Sequence, residues 1–326
     1  MSETNSHPGI FTKIFAIVYV SLLLILTGLM IFSFIIGPYI VFNNPLNSLG
    51  AGEFVGPFVI YFFGLPLFIV PIDITIGTSF IGLWTIYLVL FVVVFRGPRL
   101  SFFKAIKRIV YNGRIISSDN NLVTMVASFS ALAFVLVTIE YIQSSLGILT
   151  GNTPEIDYLA KFTLITYAPL AEEIGFRVGL VGIAALYLSL GSKPGVNALK
   201  TLWHPQKYLR IIFSTNSNYK RNIKLIWAMV IVSSLLFGTA HLYGGSWEIG
   251  KVSLASFAGI ILGITYVRNG LPAAILLHWS FNYFTASYEY FEKSFEIAFM
   301  SDFMYTVILL SGIITNVLIV KRRLRR

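Results

Sequence analysis

Apolar residues along the chain are gathered into long stretches that are separated by short polar connections. A helix needs about 20 mostly apolar residues to cross the hydrocarbon core of a bilayer. Stretches of this kind lie near 14–36, 54–72, 77–95, 121–143, 158–189, 224–241, 252–268, 271–288 and 303–320. The pattern predicts eight or nine transmembrane helices. The count depends on 54–95, where several prolines favour either two full spans or a hairpin or re-entrant segment.

The composition agrees with a membrane protein. Hydrophobic residues make up 56% of the 326 residues and charged residues only 12%, whereas a soluble domain has about 25% charged residues. The first apolar stretch is too long for a secretory signal peptide, and no A-x-A cleavage pattern follows it, so it is interpreted as the first span. We therefore predict an all-α fold, a polytopic transmembrane bundle of about eight to nine spans with a membrane-embedded polar cavity.

Charged residues outside the apolar stretches are distributed unevenly. Basic residues concentrate in the connections 96–120 and 190–224 and in the tail 321–326, and acids concentrate in the other connections. The positive-inside rule places the basic connections and the C-terminus in the cytoplasm. We expect the membrane to be the plasma membrane of a prokaryote. The net charge of +10 then reflects contact with anionic lipid head groups, so the bilayer is an expected partner and nucleic acid is not. The stretch 100–117 predicts either an interfacial amphipathic helix or a basic loop.

Cysteine is absent from the sequence. Disulfides, thiolate metal ligands and a cysteine nucleophile are therefore excluded. Any hydrolytic chemistry must come from carboxylates, imidazoles and other oxygen or nitrogen groups.

The first of three polar clusters lies inside the stretch 158–189, where Glu172 and Glu173 are followed one turn later by Arg177. An ionised side chain at mid-bilayer costs about 3 kcal/mol or more, so such groups must be paired, solvated or used. Helical spacing puts Glu173 and Arg177 on one face in the favourable order and predicts an ion pair. Glu172 points about 100° away and has no local partner, which suits a general base. The alternative is a structural ion pair beside one snorkelling acid.

The other two clusters are Phe237 with His241 and His278 with Asn282, each pair four residues apart. This spacing puts both members of a pair on one helix face. Phe237 can then cover one side of the His241 imidazole, and His278 with Asn282 can donate hydrogen bonds to an oxyanion. Taken alone, His241 also fits an interfacial or capping group, and the last pair fits an interhelical hydrogen bond. With the glutamates, the clusters can position a water with or without zinc, which accepts N and O ligands, although HExxH is absent.

Together the three clusters resemble, in order, the three motifs of the CPBP family of intramembrane proteases. This family includes the type II CAAX prenyl endopeptidases and bacteriocin-processing or immunity-type proteins. The resemblance covers about residues 158–288 and implies about eight transmembrane helices around an embedded site. The candidate catalytic residues that it implies are Glu172, Glu173, Arg177, His241, His278 and Asn282.

The resemblance also implies a role for each candidate. Glu172 with His241 activates the nucleophilic water, His278 with Asn282 stabilises the oxyanion, and the predicted ion pair supports these side chains. It leaves the metal open. A zinc ion would take Glu172, His241, His278 and Asn282 as candidate ligands, whereas a water activated by glutamate needs no metal.

The expected function is an intramembrane endopeptidase that cleaves a membrane-associated substrate, by analogy a prenylated CAAX-type peptide. Two other functions fit the same residues: a non-catalytic peptide-binding or immunity membrane protein, and a proton-coupled transporter. We divide the chain into N-terminal spans with a basic interfacial connection (1–120), a CPBP-like catalytic helical core (121–290), and a final span with a basic tail (291–326).

Overall fold

The computed structural model describes residues 10–43, 50–53, 58–62, 65–70, 74–112, 119–151, 157–190, 197–213, 219–244 and 247–324. Nearly all of these residues are helical. The α-helices are α1 (Ile10–Asn43), α2 (Ile76–Arg96), α3 (Phe102–Asn112), α4 (Asn121–Ser145), α5 (Tyr158–Glu172), α6 (Ile183–Leu190), α7 (Ala198–Trp203), α8 (Pro205–Phe213), α9 (Tyr219–Ala240), α10 (Ile249–Asn269), α11 (Leu271–Trp279), α12 (Thr285–Phe295) and α13 (Met300–Leu324). Two π-helical segments, Glu173–Gly182 and Ser280–Phe284, join α5 to α6 and α11 to α12, and a short 3₁₀ turn, His241–Gly244, follows α9.

Seven helical segments of the described chain are long and apolar enough to cross a membrane. They are α1, α2, α4, the continuous helix Tyr158–Leu190, Asn222–Ala240, α10 and α13. An eighth continuous helical segment extends from Leu271 to Phe295 and consists of α11, the second π-helical segment and α12. The predicted all-α transmembrane bundle is therefore confirmed, with about eight spans.

The stretch 54–72 is the place where the prediction of a ninth helix is wrong. Strands β1 (Phe58–Phe62) and β2 (Leu65–Val70) form an antiparallel hairpin there, and α2 begins only afterwards, so the hairpin alternative is correct. The backbone of β1 lies against α5 and the first π-helical segment. Since strand edges are not tolerated next to lipid chains, this hairpin must lie against protein or a cavity.

The structure also decides between the two alternatives for the stretch 100–117, an amphipathic helix or a basic loop. Its described part forms the helix α3, which buries Phe102, Ala105 and Ile109 against the bundle and leaves Phe103 and Tyr111 exposed. Residues 113–117 lie outside the described ranges. The amphipathic helix is therefore correct, and its apolar face is largely used within the protein.

Helix α11 occupies the centre of the bundle, since every residue from Pro272 to Trp279 is buried. The fully buried indole of Trp279 stacks on Phe34 of α1 and on Tyr283, with ring centroids 5.2 and 5.1 Å apart. Stacked aromatic pairs of this kind add attraction beyond their buried area. His278 precedes this anchored residue, so the position of its imidazole is fixed by the core.

Helices α9 and α10 approach each other closely because glycines line their contact. A Cβ atom on Gly259 would lie 3.1 Å from the Cα of Ser234, and one on Gly238 would lie 2.5 Å from the Val252 carbonyl oxygen. Small residues that bring backbones together are the usual packing device between membrane helices. Helix α9 also packs against the π-helical segment that begins at Glu173, where the rings of Phe237 and Phe176 have centroids 5.3 Å apart.

Candidate active site

Both helices that carry acid and imidazole groups change their geometry at the motif. Glu172 ends α5 and Glu173 begins a π-helical segment, and α11 ends one residue after His278. Pro169, a turn earlier, has no N–H to donate to the carbonyl four residues before it, which loosens the α-helical ladder there. Segments of π-helix occur frequently at functional sites. Their wider turn alters the directions in which neighbouring side chains leave the helix.

Glu173 is fully buried, and its carboxylate meets two partners. Oε2 lies 3.3 Å from Arg177 Nε, and Oε1 accepts a hydrogen bond from His278 Nδ1 at 2.9 Å. The predicted ion pair with Arg177 is therefore confirmed. The guanidinium, itself fully buried, also donates to the Gly259 carbonyl at 3.5 Å and stacks with Cζ 4.3 Å from the Phe237 ring centroid. Buried charges need several such partners, because desolvation costs several kcal/mol per ion.

Glu172 has a different environment from its neighbour. Its side chain is 28% exposed, and Oε2 lies 3.5 Å from Nε2 of His278. Glu172 was predicted to have no local partner, and its partner here is the sequence-distant His278, whose single imidazole spans both glutamates. Glu172 is therefore partly open to solvent, whereas Glu173, at 0% exposure, contacts only protein groups.

Phe237 stands between the two histidines. Its ring is edge-on to both imidazoles, with centroids 4.9 Å from His241 and 5.8 Å from His278. The Phe237 carbonyl lies 2.8 Å from His241 Nδ1, and since a carbonyl only accepts, this nitrogen carries the proton and Nε2 is free to accept one. Burial lowers the pKa of His241, and this effect outweighs the nearby Glu172 carboxylate and the Phe237 carbonyl, which raise that pKa.

Asn282 lies in the second π-helical segment, one turn beyond His278, and is half-buried. Its amide makes no hydrogen bond to another described residue, so its two donors remain available to a bound group. The structure thus brings five of the predicted site residues together through contacts or charge: Glu172, Glu173, Arg177, His241 and His278. Asn282 lies one turn beyond His278 on the same helical segment.

Two side chains next to these motifs were not singled out by sequence reasoning. Lys251 Nζ lies 3.9 Å from the ring centroid of Trp247, whose ring lies 6.5 Å from that of His241. In the sequence Lys251 lies at the edge of an apolar stretch, where a lysine is ordinarily interpreted as an interfacial residue. Only the tertiary packing shows that its ring partner Trp247 lies near His241.

The candidate metal ligands do not form a metal centre in this arrangement. Within the described ranges, no group of three or more histidine, aspartate, glutamate or cysteine side chains is placed to hold a metal ion. The proposed set of Glu172, His241, His278 and Asn282 therefore does not fit a metal as arranged here. The structure gives no support to the metalloprotease hypothesis.

The fold and the site together define an integral membrane protein whose helical bundle encloses a paired Glu-Arg group and two histidines. Residues 154–284, which contain all the candidate site residues, match the family model described as Type II CAAX prenyl endopeptidase Rce1-like. The resemblance found from the motifs is thus confirmed over this segment, which is similar to the proteases that the family model describes. No curated protein and no solved structure matches the chain.

Proposed function

We propose that the protein is an intramembrane endopeptidase that hydrolyses a peptide bond of a membrane-associated substrate. The observation that carries the proposal is the unequal environment of two adjacent carboxylates, Glu172 at 28% exposure and Glu173 at 0%, with His278 between them. A general base must be accessible to the reacting water and held by fixed neighbours, and Glu172 meets both conditions. The match to a protease family supports the same class of reaction.

In the proposed reaction Glu172, assisted by His241, takes a proton from a water molecule. The water oxygen attacks the carbonyl carbon of the scissile peptide bond, and negative charge develops on the carbonyl oxygen. Asn282 stabilises this oxyanion by donating hydrogen bonds. Nε2 of His278 donates to it as well, which requires a proton on both ring nitrogens because Nδ1 already donates to Glu173. The C–N bond then breaks, and the proton held by Glu172 passes to the leaving nitrogen, so one water is consumed for each bond cleaved.

Glu173 and Arg177 act through His278 in this scheme. Arg177 holds the Glu173 carboxylate at 3.3 Å, and that carboxylate holds Nδ1 of the imidazole at 2.9 Å. The imidazole therefore cannot rotate without breaking a buried hydrogen bond. Catalytic groups need support of this kind to stay within about 0.5 Å of a productive geometry.

The substrate and the location of the protein are part of the proposal. The family match suggests a prenylated CAAX-type peptide, and the bilayer and this peptide are the proposed partners. The basic connections favour a prokaryotic plasma membrane with the C-terminal tail in the cytoplasm. All proposed catalytic residues fall in the segment 121–290, which we retain as the catalytic core between the flanking segments 1–120 and 291–326.

The test is cleavage of a farnesylated CAAX reporter, and of the same peptide without the prenyl group, by purified protein in detergent. We expect Glu172→Gln to lower kcat by roughly 100-fold or more, the usual effect of losing a general base. Asp302→Asn, at an exposed acid in the first turn of α13, is the matched control and should cleave like the wild type. Size-exclusion profiles verify that both variants fold.

The outcomes separate the parts of the proposal. Full activity of Glu172→Gln would show that another group activates the water. Cleavage of the unprenylated peptide alone would move the substrate away from the CAAX class. A wild-type protein that cleaves neither reporter nor other membrane-bound peptides would overturn the endopeptidase function.

A further inference from the structure

Lys251 is a charged side chain beside the proposed site that none of the proposed steps uses. It is half-buried in the first turn of α10, with Nζ 3.9 Å from the centroid of the Trp247 ring. Its charge acts on Glu172, on Glu140 and on His241. The ammonium group therefore lies within electrostatic range of the proposed base and of one imidazole.

Lys251 has no close anionic partner in the part of the chain that the structure describes. None of the ion pairs found there includes Lys251, so Glu172 and Glu140 act on it only from beyond contact distance. A cation in the first turn of a helix also interacts unfavourably with the helix dipole. The Trp247 ring compensates part of the lost hydration. The described part of the fold thus gives the Lys251 ammonium an aromatic partner and no anionic one within ion-pair distance.

The backbone holds Lys251 and its ring partner in place. Trp247 forms an isolated antiparallel bridge with Gly151, and the Gly250 N–H donates to the Leu149 carbonyl at 2.9 Å. These bonds tie the start of α10 to the connection that follows α4. The ammonium group and the indole are thus positioned before any ligand arrives, which lowers the entropy lost on binding.

We propose that Lys251 binds the free α-carboxylate at the C-terminus of the substrate and so selects which peptide bond reaches Glu172. This inference rests on the proposed endopeptidase function. A CAAX sequence is by definition C-terminal, so its last residue carries an anion, and an ammonium group offers three donors to it. The Trp247 ring lies beside the same ammonium and can cover the apolar part of the last residue.

The role requires a definite distance between the Lys251 ammonium and the scissile bond. An extended peptide advances about 3.3–3.6 Å per residue, so a carboxylate two or three residues beyond the scissile bond lies about 7–10 Å from it. Among the described residues no ion pair joins Lys251 to Glu172, whose partner within 4 Å is His278. A cation that touched Glu172 would neutralise the base, whereas a separated cation leaves room for the chain between them.

The experiment compares two reporters of identical sequence, one with a free C-terminal carboxylate and one with a C-terminal amide. We expect the wild type to cleave the acid with a kcat/KM roughly 30-fold or more above the amide, as is usual for a desolvated charge pair. Lys251→Met should reduce this ratio to near one, and Lys251→Arg should restore much of it. Lys293→Met, at an exposed lysine in the last turn of α12, should keep the wild-type ratio.

The same anionic chemistry is offered by a lipid phosphate, so the reactions are run in lipid-free detergent and in nanodiscs of anionic lipid. Equal cleavage of acid and amide by the wild type would overturn the role of Lys251 while leaving the endopeptidase function intact. Cleavage of neither reporter, by a wild-type protein that also cleaves no other membrane-bound peptide, would overturn both. An effect of Lys251→Met that needs anionic lipid and is equal for acid and amide would assign the cation to a lipid head group. Should Lys251→Met fail to fold, Lys251→Arg and the wild-type ratio still decide the question.

Discussion

Replacing Arg177 with Met is expected to destabilise the protein strongly, because Glu173 would keep a charge without its counterion. Both side chains are fully buried, with Nε and Oε2 3.3 Å apart. Removing one partner of a buried ion pair costs about 3–5 kcal/mol. The variant also loses the contact of the guanidinium with the Phe237 ring at 4.3 Å, worth about 0.5–2 kcal/mol. We expect the free energy of unfolding to fall by about 4–6 kcal/mol.

The double variant Glu173→Gln with Arg177→Met isolates the charge from the lost packing. It leaves no ion behind, and the side-chain amide oxygen of the introduced glutamine can still accept the hydrogen bond that His278 Nδ1 donates to Glu173 at 2.9 Å. We therefore expect it to recover about 2 kcal/mol or more of the loss caused by Arg177→Met alone. The assay is equilibrium unfolding in mixed dodecylmaltoside and SDS micelles, followed by tryptophan fluorescence. Strictly additive losses, or an Arg177→Met variant as stable as the wild type, would refute the reasoning from an uncompensated buried charge.

Gly238→Ala should lower the free energy of unfolding by about 1–3 kcal/mol, because its Cβ would lie 2.5 Å from the Val252 carbonyl oxygen. Gly28→Ala is the control and should leave that free energy unchanged, because its Cβ would have no atom within 4 Å. Equal thermal stabilities of the two variants would contradict the close packing of α9 on α10. Because burial lowers the pKa of His241, the acid limb of kcat/KM should lie below the ordinary histidine value of about 6.5. The free energy of unfolding should also fall as pH drops through that region, since the unfolded chain then binds a proton that the folded histidine does not. If the acid limb of kcat/KM is unchanged in His241→Gln, a group other than His241 causes it. Cleavage should survive dialysis against a chelator, because the described donors do not form a metal centre; a loss of activity that zinc restores would refute this.

Much of the fold was predictable because the bilayer imposes a simple rule on the chain. A helix satisfies its own backbone groups, so long apolar stretches become spans. The rule failed at 54–72, where the apolar residues form β1 and β2. Hydropathy alone does not separate a helix from two strands that lie against protein. The prolines of this stretch were the useful signal, because proline removes a helical hydrogen bond.

Only the contacts between residues that are close together in the sequence could be predicted for the site. The four-residue spacing of Glu173 and Arg177 gave their ion pair, which the structure confirms at 3.3 Å. The contacts of His278 with both glutamates join residues that are about a hundred positions apart in the sequence, 105 in the case of Glu173. No periodicity reports such a contact. Lys251 was missed for the related reason that a lysine at a span boundary has an ordinary interfacial explanation.

The two adjacent glutamates have different roles, Glu173 in stability and Glu172 in the proposed catalysis. Neighbouring side chains on a helix point about 100° apart, so the packing that buries Glu173 against α9 and α10 turns Glu172 toward a partly exposed space. An imidazole has two ring nitrogens on different edges, so the single His278 touches both acids, at 2.9 Å and 3.5 Å. Loss of Glu172 should therefore abolish the reaction in a protein that still folds. Loss of Arg177 should damage the fold and the reaction together, because it releases the carboxylate that orients the imidazole.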